Sequence, residues 1–309
     1  MLEKFIKPME PKPYPQPFDS SEYVFQVKWD GIRILAFIGN KIRLQGKKNF
    51  KDKSEKYPEL TILKDLIKAE EAILDGEVVV MQEGRPSFPR VIQREFSSDK
   101  MRIRALTETM PVEYIVFDII FLDGKNLTFL PYIKRYEILS DILTPKESIH
   151  IIENFYNGED LFEAVKALKL EGIVAKQKES PYVFGKTNLW KKIKHRRSIL
   201  CVAGGYTLKE GRPVSILLGV FKGNRLFYIG RVSAGLKEKD LIYLQNAGHP
   251  LEIDKSPFIN PPQVKGENYV WLNPFLALEV EYAEWTEDMK LRAPSLKGFS
   301  LSKPEKCTI

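Results

Sequence analysis

With 309 residues the chain is longer than a typical single domain of about 100 to 200 residues, and two domains are expected, 1–197 and 198–309. A composition of 43% hydrophobic and 29% charged residues excludes a disordered chain, and the absence of any 18-residue apolar run excludes a membrane-spanning helix. The net charge of +7 favours a polyanionic partner, while two cysteines and three histidines exclude a disulfide framework or a clustered zinc site; with no apolar targeting segment at the start, a cytoplasmic protein is expected.

Pro8, Pro11, Pro13, Pro15 and Pro17 hold an extended entry segment. Residues 23–28 and 33–38 read as strands on either side of the turn-forming pair Asp30-Gly31, and Gly39-Asn40 suggests a hairpin into 41–44. Leu60, Leu63, Leu66 and Ile67 after Pro58 predict an amphipathic helix over 59–69. Residues 72–81 and 112–122 are apolar and β-branched enough for buried strands. Helices are expected over 87–96, 130–143 and 159–168, with strands over 172–176 and 189–194. This mixture lacks a βαβ rhythm and implies an α+β first domain. From Ser198 onward the pattern changes to strands, at 200–208, 214–222, 226–232, 269–271 and 276–284, with one helix near 237–246. About five strands and a helix suit a small closed barrel such as an OB-fold, a common nucleic-acid-binding surface.

Chemistry concentrates first at Lys28-Trp29-Asp30-Gly31-Ile32-Arg33. A lysine at a strand end among other charges is a candidate nucleophile, although a solvated Asp-Gly turn explains the same residues. The pattern Lys-x-Asp-Gly-x-Arg resembles the signature of covalent nucleotidyltransferases, which comprise DNA and RNA ligases and messenger-RNA capping enzymes. The resemblance implies that Lys28 takes AMP from ATP as a phosphoramidate, that Asp30 belongs to the catalytic signature, and that Arg33 contacts the ribose or the nicked DNA. Gln26 stands where such ligases often carry a glutamate that reads the adenine amino group, and its carbonyl oxygen can accept the same hydrogen bond.

Further blocks follow in the family's order. Lys47-Lys48-Asn49 resembles a Ser-Arg-Asn block, with Lys48 in place of the DNA-contacting arginine. Leu74-Asp75-Gly76-Glu77 implies a ribose or metal contact for Glu77. Tyr114-Ile115-Val116-Phe117-Asp118 implies Phe117 stacked on adenine and Asp118 near the metal, although Phe117 in an apolar strand reads equally as core. Glu171-Gly172-Ile173-Val174-Ala175-Lys176 implies that Glu171 helps hold Mg2+ (or Mn2+). In Trp190-Lys191-Lys192-Ile193-Lys194, strand alternation sends Lys192 and Lys194 to one face, where both can meet one phosphate. A solvated basic run is the alternative there.

In the second domain Trp271-Leu272-Asn273-Pro274, Glu279-Val280-Glu281, Trp285-Thr286-Glu287 and Leu291 to Phe299 resemble the barrel of bacterial end-joining ligases. The family's closing Arg-x-Asp-Lys is Ser300-Leu301-Ser302-Lys303 here; Lys303 keeps a DNA-binding expectation. The resemblance as a whole implies an ATP-dependent DNA ligase that seals 5′-phosphate/3′-hydroxyl nicks in duplex DNA during repair. It is expected to act as a monomer without a membrane, with the end-bridging protein Ku as a possible partner. RNA ligation or capping, and a catalytically weak DNA-binding module, are the competing readings.

Overall fold

The computed structural model describes residues 6–47, 52–263, 268–283, 285–286 and 288–308. The chain divides into two compact units, Met1–His195 and Arg196–Ile309. In chain order the first carries β1 (Met9–Pro13), β2 (Tyr23–Val27), β3 (Ile32–Ile38), β4 (Arg43–Gly46), β5 (Ala72–Val79), α1 (Phe88–Phe96) and α2 (Lys100–Thr109). There follow β6 (Glu113–Leu122), α3 (Tyr132–Ile142), β7 (Ile149–Ile151), α4 (Gly158–Ala167), β8 (Gly172–Gln177) and β9 (Gly185–Lys194).

Two sheets result, one ordered β1–β9–β8–β2 and the other β7–β6–β5–β3–β4. Alternation along β3 explains how they stack. Ile34, Ala36 and Ile38 enter a core with Leu60, Leu63, Val91 and Leu139 on one face. Leu35 and Phe37 enter a second core shared with Val24 and Trp190 of the other sheet. On that other sheet Phe25, Ile173 and Ile193 turn outward to Leu161 and Val165 of α4. The unit is thus layered helix, sheet, sheet, helix, with a core at each interface.

The segment expected as a helix over 59–69 differs. A 3-10 helix spans Pro58–Ile62 and a single α turn spans Leu63–Leu66. Leu60, Leu63 and Leu66 recur every three residues, the repeat of a 3-10 helix, and all three are buried. Ile67 then leaves in extended conformation to bridge Leu143. Helix α2 and strand β7 lie outside the expected elements. Asp99 caps α2 by accepting from the Arg102 N–H at 2.8 Å, and β7 is held by parallel pairing to β6.

The second unit carries β10 (Arg197–Lys209), β11 (Arg212–Lys222), β12 (Arg225–Val232), α5 (Glu238–Gly248), β13 (Asn268–Leu272), β14 (Ala277–Tyr282) and β15 (Ser295–Ser300). Long β10 pairs with β11 on one side and, on the other, with β14 along its first half and β13 along its second. The sheet closes because β15, paired to β14, meets the segment after β12: Ala234 bridges Ser295, and Leu291 N–H donates to the Ile229 carbonyl at 2.8 Å. This closed sheet around Cys201, Ile216, Leu218, Leu278 and Val280 is an OB-type barrel following a nucleotidyltransferase-type α+β domain. No described helix is long and apolar enough to cross a membrane.

Candidate active site

Lys28 sits where the chain changes sheets. Strands β2 and β3 do not pair; the turn through Asp30-Gly31 carries the chain from one sheet to the other, with the Lys28 N–H still bonded to the Gly172 carbonyl at 2.8 Å. Gly31 is required by close approach, since a Cβ there would lie 2.2 Å from the Val78 carbonyl oxygen.

Register and parity then assemble the walls. Across the first sheet Gln26 pairs with Val174 and Val174 with Lys192, while Lys176 pairs with Trp190. One inner face therefore presents Gln26, Lys28, Val174, Lys176, Trp190 and Lys192. In the facing sheet Arg33 pairs with Glu77. These residues, with Phe117, line a cleft of about 520 Å3, within the range of about 300 to 1,000 Å3 that small-molecule sites occupy.

Charge is concentrated there. Lys28 forms an ion pair with Glu171, whose other oxygen meets Lys194 Nζ at 2.7 Å. Burial by itself would raise the Glu171 pKa, but the two lysines hold it below the ordinary carboxylate value. Glu77 is pushed up to about 7 by burial, against the pull of Lys28 and Arg33. Lys192 is lowered by burial and by the positive charges of Lys194, Lys28 and Lys47. Cationic walls with two carboxylates among them suit a polyphosphate carrying a divalent ion.

At the inner end, the Gln26 side-chain amide is fixed. Its Nε2 donates to Tyr132 Oη at 2.6 Å and to Asn154 Oδ1 at 2.7 Å. With both hydrogens committed, Oε1 is the atom left for a ligand, and it accepts hydrogen bonds only.

Several expected site residues are arranged otherwise. Asp118 leaves the metal set: Arg135 grips it through Nε and Nη2 at 2.8 and 2.9 Å, and both side chains are 0% exposed. Its Oδ1 also accepts from the Ile119 N–H at 2.9 Å, so both oxygens are committed away from the cleft. Asp30 stays in the turn and is not among the cleft-lining residues. Phe117 lines the cleft at only 8% exposure, with Arg33 and Lys176 each 4.3 Å from its ring centroid. Arg33 spends Nε and Nη2 on Asp75, the latter at 2.6 Å, and also lines the cleft. Lys48 lies outside the described residues. Lys303 is exposed in the second unit, where Ser300 Oγ and Ser302 Oγ bond each other at 3.0 Å.

Other residues of the cleft had no role in the sequence reading. Lys176 is 2% exposed, its Nζ 4.1 to 4.6 Å from the ring centroids of Trp190, Phe117 and Tyr132, and burial lowers its pKa well below the ordinary lysine value. Strand parity with Val174 was the available signal. Lys53, and Asn154 which reaches the cleft only through Gln26, come from distant segments and left none; Tyr132, the other partner of Gln26, stands in a Pro131-Tyr132 pair that resembles the same ligases.

Comparison with known proteins identifies the family. The ATP dependent DNA ligase domain model matches residues 7–194, and the ATP dependent DNA ligase C terminal region model matches 209–302. The multifunctional non-homologous end joining DNA repair protein LigD of Mycobacterium tuberculosis is 31% identical over 296 residues, covering 93% of this chain and 37% of its own length. The SPbeta prophage-derived DNA ligase-like protein LigB of Bacillus subtilis is 31% identical over 301 residues, 96% of this chain and 99% of that protein. A solved mycobacterial DNA ligase D, complexed with ATP and MES, superposes with a TM-score of 0.54 at 29% identity, covering 98% of each chain.

Proposed function

The chain belongs to the ATP-dependent DNA ligase family, and from that premise we propose that Lys28 is the residue that accepts AMP and that the product is a sealed nick in duplex DNA. The observation that carries the assignment is a nucleotide-sized cleft lined by Lys28 and Lys192, with Glu171 joining Lys28 to Lys194 beside it. Lys28 Nζ forms a P–N bond to the α-phosphorus as the bond to pyrophosphate breaks. AMP then passes to the 5′-phosphate of the nick, and the adjacent 3′-hydroxyl displaces it. Lys192 and Lys194 hold phosphate oxygens through these transfers.

No cluster of three or more metal-ligating side chains occurs among the described residues, but Mg2+ commonly takes one or two carboxylates together with phosphate oxygens. Glu171 beside Lys28 and the half-buried Glu77 fit that requirement, with Mn2+ as the alternative ion. Bound there, the ion would neutralise charge on the phosphates. The test is incubation with radiolabelled ATP or GTP, followed by nicked DNA or nicked RNA. Label from ATP and closure of the DNA nick support the reading; label from GTP, or closure of RNA alone, transfers the chain to capping or RNA ligation.

Selection of the base rests on the Gln26 amide. Tyr132→Phe removes one of its two acceptors, worth about 0.5 to 1.5 kcal/mol, so the preference for ATP over GTP in self-labelling is expected to fall by up to about tenfold. An unchanged preference removes Gln26 from base reading.

By the resemblance to the family's closing Arg-x-Asp-Lys, Ser300 and Ser302 stand at the arginine and aspartate positions, and their hydroxyls are bonded to each other. A charged contact to the leaving pyrophosphate is thereby missing, worth about 1.5 to 3 kcal/mol. Ser300→Arg/Ser302→Asp is expected to speed self-labelling by about tenfold or more and to change closure of a pre-adenylated nick far less. Equal acceleration of both steps would refute it.

The chain spans 37% of the length of the LigD relative, so its place in end joining, and Ku as a partner, are part of this proposal. So are action as a monomer and division of the chemistry between 1–197 and 198–309. Pull-down by Ku and sedimentation with nicked DNA test the first two.

A further inference from the structure

The same cleft contains a lysine that the steps described above do not use. Lys53 is 8% exposed and lines the cleft together with Glu95, Ile92 and Phe96. It is placed by backbone and by packing. Its N–H extends the edge of β4 by bonding the Leu44 carbonyl at 2.8 Å, and its stem lies across Gly46, where a Cβ would come within 2.5 Å of Lys53 Cε.

Burying an ammonium requires an anionic partner, and Glu95 supplies it through Oε1. Tyr57 Oη donates to the second oxygen, Oε2, at 2.7 Å, and burial beside Glu95 raises the Tyr57 pKa so that the phenol stays a donor. The carboxylate therefore cannot rotate away. Lys53 Nζ has three N–H groups, and Glu95 is its one hydrogen-bond partner among the described residues. The remaining donors border the cleft.

Lys53 has a counterion of its own, distinct from that of the Lys28 group. Its counterion is Glu95, whereas Lys28 and Lys194 share Glu171, and no ion pair links the two groups among the described residues. The cleft thus holds two cationic positions. The reaction needs two anionic reactants in it, the nucleotide at Lys28 and the strand end that receives AMP.

We propose that Lys53, held by Glu95 and Tyr57, binds the 5′-phosphate of the strand to be joined. This rests on the ligase reading above. The sequence offers no sign of it, because Lys53 and Glu95 are 42 residues apart and each reads as surface.

The experiment measures binding, in EDTA so that no turnover occurs, to nicked duplexes ending in a 5′-phosphate or a 5′-hydroxyl. The wild type is expected to favour the phosphate by about tenfold. Lys53→Met, which keeps the stem's volume, is expected to bring the two affinities within twofold, and Lys53→Arg to keep most of the preference. Retention of the full preference by Lys53→Met overturns the proposal, as does an equal loss on both duplexes, which would place Lys53 on an internal phosphodiester. Labelling of each variant by ATP with Mg2+ reports a folded nucleotide site; if Lys53→Met is not labelled, loss of the preference in a labelled Lys53→Arg overturns the proposal. A wild type that is neither labelled nor selective for the phosphate refutes the ligase reading itself.

Discussion

Lys28→Ala is expected to eliminate covalent labelling by ATP, a loss of at least about 10³-fold, because no other group can supply the nucleophile in the same position. The expectation is strict because Lys28 is held by one carboxylate at the point where the chain crosses between sheets. The other lysines are placed differently: Lys176 is enclosed by aromatic rings, and Lys194 engages the far oxygen of Glu171. Closure of a pre-adenylated nick requires no attack by Lys28 and should survive within about tenfold. Gel detection of labelled protein and of sealed strand measures both steps on one preparation. Label on Lys28→Ala would move the nucleophile elsewhere and sink the assignment.

Arg135→Met is expected to destabilise the first unit by about 3 to 5 kcal/mol, the cost of leaving a buried carboxylate without its partner. Asp118 and Arg135 are each 0% exposed and joined by two hydrogen bonds, and Arg135 also donates to the Ser180 carbonyl at 3.1 Å. It thereby ties β6 to α3 and to the loop before β9. Urea denaturation with and without EDTA checks the figure. Asp118→Asn should lower stability equally in both conditions. If instead stability is untouched and the Mg2+ requirement rises, Asp118 is a metal ligand after all. The double change Asp118→Leu/Arg135→Met should recover much of the loss, since removing both charges leaves nothing unpaired.

The same pair shows how far sequence reading reaches. Asp118 lies in an apolar run, and a carboxylate buried there, as this one is at 0% exposure, must be satisfied by a partner. Its partner is 17 residues away on a different element, and nothing local distinguishes an arginine from a metal ion as that partner. The helix expected over 59–69 failed similarly: a spacing of three is compatible with both helix types, and burial against the sheet selected the tighter one.

Local order determined a great deal. The lysine signature, the alternation that puts Lys192 and Lys194 on one face, most of the long strands of both units and the change of character near Ser198 follow from the nearest few residues, where backbone geometry has a fixed period; β1, β7 and β15 do not. Tertiary structure alone decided which charges meet: Lys28 with Glu171, Arg33 with Asp75, Asp118 with Arg135, and Lys53 with Glu95. Each pair is far apart in sequence, and each is selected because a charge removed from water must find its counterion wherever the packed sheets bring one within reach.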